Sequence, residues 1–186
     1  MSSFVQAGKI VDAQRLRQGG AIFIQPFIAG PNVEVNSKLD KISLMMMKGL
    51  ADGLMQDEHK TFQILTADKA DDPDFIVKGH ILDVHKPAKV KKWVMRNRQI
   101  SLSVQGRMID TETGETIVVF DNTRTSQQAS QTHEQLGYAL GQDIARFVLE
   151  GMNEWPVVLR FSLRTPSKER GASGRSPGFY GRLAIP

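Results

Sequence analysis

Four histidines, His59, His80, His85 and His133, are the side chains of this sequence best suited to move a proton near neutral pH or to ligate a transition metal. They are scattered. His80 and His85 stand five apart in a stretch of strand character, so they point to opposite faces unless a bulge intervenes, and no metal site is expected from them. There is no cysteine, which excludes disulfides, thiolate metal sites and cysteine nucleophiles without fixing the compartment. The phosphate-cradling G-x-x-x-x-G-K-S/T loop, G-x-G-x-x-G, the zinc-binding H-E-x-x-H and the G-x-S-x-G nucleophile turn are all absent. Asp68, Asp71, Asp72 and Asp74 lack the alternating order and the distal glutamate of a calcium loop and read as a solvated connection. A binding protein rather than an enzyme is therefore expected, with no catalytic residue, no cofactor and no metal.

The local feature that stands above background is a basic run around an aromatic: Lys86, Lys89, Lys91, Lys92, Trp93, Arg96 and Arg98. Cations interleaved with a ring can grip phosphates, anionic lipid headgroups or an acidic protein face. The plain alternative is a solvated hairpin tip whose charges keep a sheet edge soluble. A second basic stretch closes the chain, with Arg160, Arg164, Lys168, Arg170, Arg175 and Arg182 against the single acid Glu169. The whole chain carries +4, so the first 155 residues are left at −1. Residues 153–186 are rich in Gly, Pro and Ser without period, which reads as a disordered tail.

Any such surface has to be positioned by elements that begin near residue 21. The apolar run Ala21 to Ala29, closed by Gly30 and Pro31, suits a strand buried on both faces in mid-sheet. Ser37 and Asp40 have the spacing of a capping box, and Leu39, Ile42, Met46, Leu50 and Leu54 then form one helical stripe ending near Gln56. Gly49 and Gly53 inside that helix would be explained by close approach to the sheet. Thr61 to Thr66 is short enough for a strand. From Phe75 the alternation changes phase, which calls for Gly79 or a bulge near Ile81. The clearest alternation sets Ile100, Leu102, Val104, Gly106 and Met108 against Ser101, Ser103, Gln105 and Arg107, one face buried and one wet. A turn over Asp110 to Glu115, with Gly114 supplying a positive φ, leads into a partner strand from Thr116. Thr132 and Gln135 make a second capping box ahead of Leu136, Leu140, Ile144, Phe147 and Val148. The order β-α-β-β-β-β-α predicts an α+β two-layer sandwich, a mixed four- to five-stranded sheet with two helices packed on one face. A right-handed crossover is expected if the strands flanking the first helix are parallel neighbours. With 186 residues, a single domain over 20–152 is expected, between an amino-terminal extension at 1–19 and the tail.

The segments AIFIQPF, DPDFIVKGHI and ISLSVQGRMIDTETGETI, followed by a helix ending in IARFVLEGM, resemble bacterial envelope proteins. These are a lipoprotein group that includes CsgG, the TolB amino-terminal domain and penicillin-binding-protein activators. The match covers about residues 20 to 152, and its motifs are those of fold and turns, with no catalytic residues to carry over. The resemblance implies a non-catalytic periplasmic adaptor that binds other envelope components, an envelope protein or an anionic membrane surface, and leaves homo-oligomers open. It also implies an outer-membrane anchor, expected where a signal and a lipobox cysteine precede Met1. The alternative is a cytosolic basic module that binds nucleic acid, which the near-neutral charge of residues 1–155 does not favour.

Overall fold

The computed structural model describes residues 7–67, 72–85, 99–126, 128 and 130–153. Among these, the strands are β1 (Ala7–Ile10), β2 (Gly20–Ile24), β3 (Ile28–Ala29), β4 (Phe62–Leu65), β5 (Phe75–His85), β6 (Ser101–Asp110) and β7 (Thr116–Thr125). The helices are α1 (Ala13–Gln18), α2 (Ser37–Met55) and α3 (His133–Asn153). The sheet runs β1-β7-β6-β5-β2-β4, with β3 paired beside β5. β2 is parallel to both β4 and β5, whereas β5, β6, β7 and β1 are successively antiparallel, so the sheet is mixed. The α+β two-layer class expected from the periodicities is the one observed, with more elements than the sequence pattern announced.

Three elements account for the excess. β1 and α1 lie ahead of residue 20, where regular structure was not expected: β1 zips onto β7 from Ala7↔Asp121 to Ile10↔Val118, and Leu16 of α1 is completely buried. The anticipated single strand from Ala21 to Ala29 is split. Pro26 has no N–H to donate, and the chain advances four residues from Ile24 to Ile28 while β5 advances three from Val77 to His80. Gln25 N still donates to the Val77 carbonyl at 2.9 Å, and Gly30 N to that of Ile81 at 2.8 Å, so both pieces stay on β5.

The helices follow their stripes. Leu39, Ile42, Met46, Leu50 and Leu54 of α2 and Leu136, Leu140, Ile144 and Val148 of α3 are buried against Phe75, Val77, Ile81, Leu102, Val104, Met108, Val118 and Phe120 of the sheet. Thr132 and Gln135 make the reciprocal cap: Thr132 N donates to Gln135 Oε1 at 2.9 Å and Gln135 N to Thr132 Oγ1 at 3.3 Å. At α2 the capping residue is Asn36 rather than Ser37, its Oδ1 accepting from the backbone of Lys38 and Leu39 at 3.1 Å each. The glycines of α2 face α3, not the sheet. A Cβ on Gly49 would fall 2.0 Å from the Tyr138 carbonyl oxygen, and one on Gly141 of α3 would fall 2.3 Å from that of Met46. The two helices therefore touch backbone to backbone and run in the same direction, with Tyr138 donating to Asp52 Oδ2 at 2.9 Å across the seam.

Candidate functional site

With the helices on one side, the other face of β5, β6 and β7 is left uncovered by the described residues. Sheet register fixes which side chains meet there. Lys78 lies directly opposite Arg107, Arg107 opposite Val119, and Val119 opposite Lys9, so three cations share one row across four strands. In the next row His80, Gln105, Asp121 and Ala7 stand side by side. The register shift between Ile81 and Asp83 is the bulge expected near Ile81, and it brings His80 and His85 onto the same face, opposite Gln105 and Ser101. A groove of about 490 Å³ opens between Lys78, His80, Gln105 and Arg107, with Gln25 at its end. Pro26, Ile28 and Val119 give it apolar margins. Its floor contains Gly79 directly opposite Gly106, and from the far side the rings of Phe27 and Phe120 occupy the space that Cβ atoms would need. Those rings pack on each other, 6.4 Å between centroids, so the floor is held from behind.

The motif residues DPD and DTETG do structural work at one end of the sheet. Asp74 accepts from the Ala21 amide at 2.7 Å and its carbonyl from Thr111 N at 3.0 Å, tying β2 to the hairpin turn. Asp110, 2% exposed, accepts from Glu112 N at 2.9 Å and from Arg15 Nε at 2.6 Å. The guanidinium of Arg15 also lies 4.4 Å from the centre of the Phe75 ring. Burial pushes the Asp110 carboxyl upward, but the bond from Arg15, the turn amides and the Arg15 charge outweigh it and hold the group below its ordinary value. At the opposite end, His133 begins α3 with Nε2 3.0 Å from the His85 carbonyl and Nδ1 3.2 Å from Lys38 Nζ, which fits the neutral tautomer protonated at Nε2. Arg124 pairs with Asp143, joining β7 to α3.

Lys86, Lys89, Lys91, Lys92, Trp93, Arg96 and Arg98, the partner-binding residues expected from the sequence, lie outside the described residues, as does the stretch 154–186. Among the described residues no three His, Asp or Glu side chains gather as metal ligands, and no helix is long and apolar enough to cross a membrane. Gln105 and Arg107 were legible as members of a wet face. That Lys78 would stand against Arg107, and Gln25 beside them, depends on β5 register and on the break at Pro26, which no local pattern carries.

No protein-family model matches the chain, and no curated protein matches it. Solved structures with a similar arrangement include bacterial lipoproteins; one from Neisseria meningitidis is 12% identical, with 73% of this chain and all of that one covered at a TM-score of 0.45. The fold itself is shared with the PelC dodecamer from Paraburkholderia phytofirmans, 12% identical at a TM-score of 0.51, with 81% of this chain and 97% of that one covered. A point variant of the same dodecamer gives 12% identity and a TM-score of 0.50 over 78% and 94% of the two chains.

Proposed function

We propose that this chain is a non-catalytic, lipoprotein-like module of the bacterial cell envelope, which acts by holding other envelope components. The observation that carries the reading is the open sheet face: a groove bearing paired rows of long polar side chains on a rigid floor, in a fold shared with PelC. Such a face offers contacts without a nucleophile and base set against each other. The envelope setting, and kinship with the CsgG, TolB and penicillin-binding-protein activator group, rest on the sequence resemblance. The basic segment from Lys86 to Arg98 joins β5 to β6 and is proposed as a further contact for acidic partners.

Self-assembly belongs to the same proposal. PelC forms a dodecamer, and here Ile28, Val35 and Leu44 are 57%, 75% and 63% exposed along one cleft beside β3, an apolar stretch suited to burial between copies. The test is expression from the native locus with the upstream codons intact, followed by fractionation, in-cell cross-linking and mass measurement of the purified protein. The expected outcome is recovery with the envelope fraction and cross-links to envelope components. Recovery in the cytosol with bound nucleic acid would overturn the proposal.

A further inference from the structure

We infer that the groove on the open sheet face binds an extended, carboxylate-bearing peptide segment of a partner protein. The inference deepens the adaptor reading and rests on it. Lys78 and Arg107 lie directly opposite each other on neighbouring strands, a placement of like charges that destabilises a sheet. Neither forms an ion pair among the described residues, whereas Arg15 and Arg124 are matched to Asp110 and Asp143. Lys9 continues the row beyond Val119. The nearest acid of the face, Asp121, stands one row away opposite Gln105 and pairs with none of these cations. This positive row sits on a chain whose first 155 residues carry −1, so it is a local concentration and not a reflection of overall charge.

The chemistry of the groove selects among anionic partners. A guanidinium presents a planar fork that takes a carboxylate through two parallel bonds, and an ammonium beside it takes a second one. Gln25 and Gln105 each offer a donor and an acceptor, the complement of a peptide's N–H and C=O. Pro26, Ile28 and Val119 supply apolar seats for side chains between the acids. Among the described residues no Phe, Tyr or Trp lines the groove, because Phe27 and Phe120 lie on the helical side, so the small imidazole of His80 is the aromatic surface left for a nucleobase or a sugar ring to stack on. Its concave shape also fits a strand better than a flat layer of lipid headgroups.

The test uses the full chain and a fluorescently labelled decapeptide of alternating Glu and Val, read by anisotropy at physiological salt. A Gln-Val decapeptide, an oligogalacturonide and vesicles containing phosphatidylglycerol are the comparison ligands. The expected result is binding of the Glu peptide at least tenfold tighter than of the other three. The double variant Lys78→Gln with Arg107→Gln should weaken it at least tenfold. Arg107→Lys, which keeps charge but loses the fork, should fall between. A variant with Lys41 and Lys48, exposed on α2 and absent from the groove lining, changed to Gln should bind as the unmodified chain does. Undiminished binding by the double variant, confirmed as folded by circular dichroism, would overturn the inference, as would no binding by the unmodified chain or tighter binding of the saccharide or vesicles. Undiminished peptide binding by the double variant, with envelope cross-links present in cells, would overturn the groove while leaving the adaptor standing; the absence of any cross-link in the unmodified chain would overturn the adaptor.

Discussion

Replacing Gly49 by alanine sets two effects of opposite sign against each other. In an exposed helix interior the change is stabilising, by about 1 kcal/mol. Here the new methyl would lie 2.0 Å from the Tyr138 carbonyl oxygen and 2.8 Å from its carbon, both backbone atoms of a neighbouring helix. A rotamer change cannot relieve that clash. The helices must part by about 1 Å or more, in an interior packed at crystal-like density, which separates α2 from α3 along the whole seam. Overpacking of this kind costs roughly 1–3 kcal/mol, and a backbone obstacle belongs at the upper end. The net expectation is a loss of about 2 kcal/mol, set by the difference between those terms. Urea denaturation followed by far-ultraviolet circular dichroism reads it as a lowered midpoint with an unchanged slope. Gly114→Ala serves as the contrast: its site has open space but a φ of +72°, so it should lose about 1–2 kcal/mol from backbone strain alone. A Gly49→Ala midpoint at or above that of the unmodified chain would show that helix propensity prevails and that the backbone contact between α2 and α3 is not tight.

Asp110 should make the fold acid-sensitive: its folded pKa lies below the ordinary 3.8, so its contribution is present above that value and is lost as pH falls through the lower folded value. Stability measured from pH 5 to pH 2 should fall more steeply in the unmodified chain than in Asp110→Asn, and equal slopes would remove Asp110 from the acid response. Asn122 is 1% exposed on the core face, and among the described residues neither end of its amide has a partner. Asn122→Leu, close in shape, should raise stability by about 1–2 kcal/mol, detectable as an upward thermal shift. Leu50→Ala and Leu140→Ala should each lose roughly 2–5 kcal/mol by denaturant midpoint, since both side chains are buried between helix and sheet.

What the sequence made legible is what neighbours in the chain decide. The stripes of α2 and α3, the alternation of β6, the turn with Gly114 and the reciprocal Thr132–Gln135 cap all depend on residues a few positions apart, and all are present. The bulge after Ile81 was readable because a phase change leaves a local trace. The remainder depends on distant partners. AGKI of β1 has no pattern of its own and becomes a strand only because the edge of β7 accepts it. Gly49 announced a close approach without naming its partner, which proved to be α3. Asn36 displaced Ser37 as the cap because either residue type can do that work, and the chain's entry direction chose between them. The candidate groove was half visible. Gln105 and Arg107 appeared on the wet phase of β6, but their meeting with Lys78 and Gln25 depends on pairing with β5 and on the interruption at Pro26.

The pairing of β1 with β7 has a consequence for the order in which the molecule can be completed. A strand near the start of the chain must wait for one made roughly a hundred residues later, and the entropy of closing so long a loop is recovered only once β7 already lies against β6. On a ribosome, Ala7 to Ile10 emerge early and stay unattached through the synthesis of nearly everything they will join. Until they dock, the outer amides and carbonyls of Val118 to Asp121 form an uncapped ladder able to accept a strand from any neighbouring chain. β1 is thus a late clasp, and its docking replaces the longer open edge of β7 with a strand of 4 residues, a shorter template for any neighbouring chain.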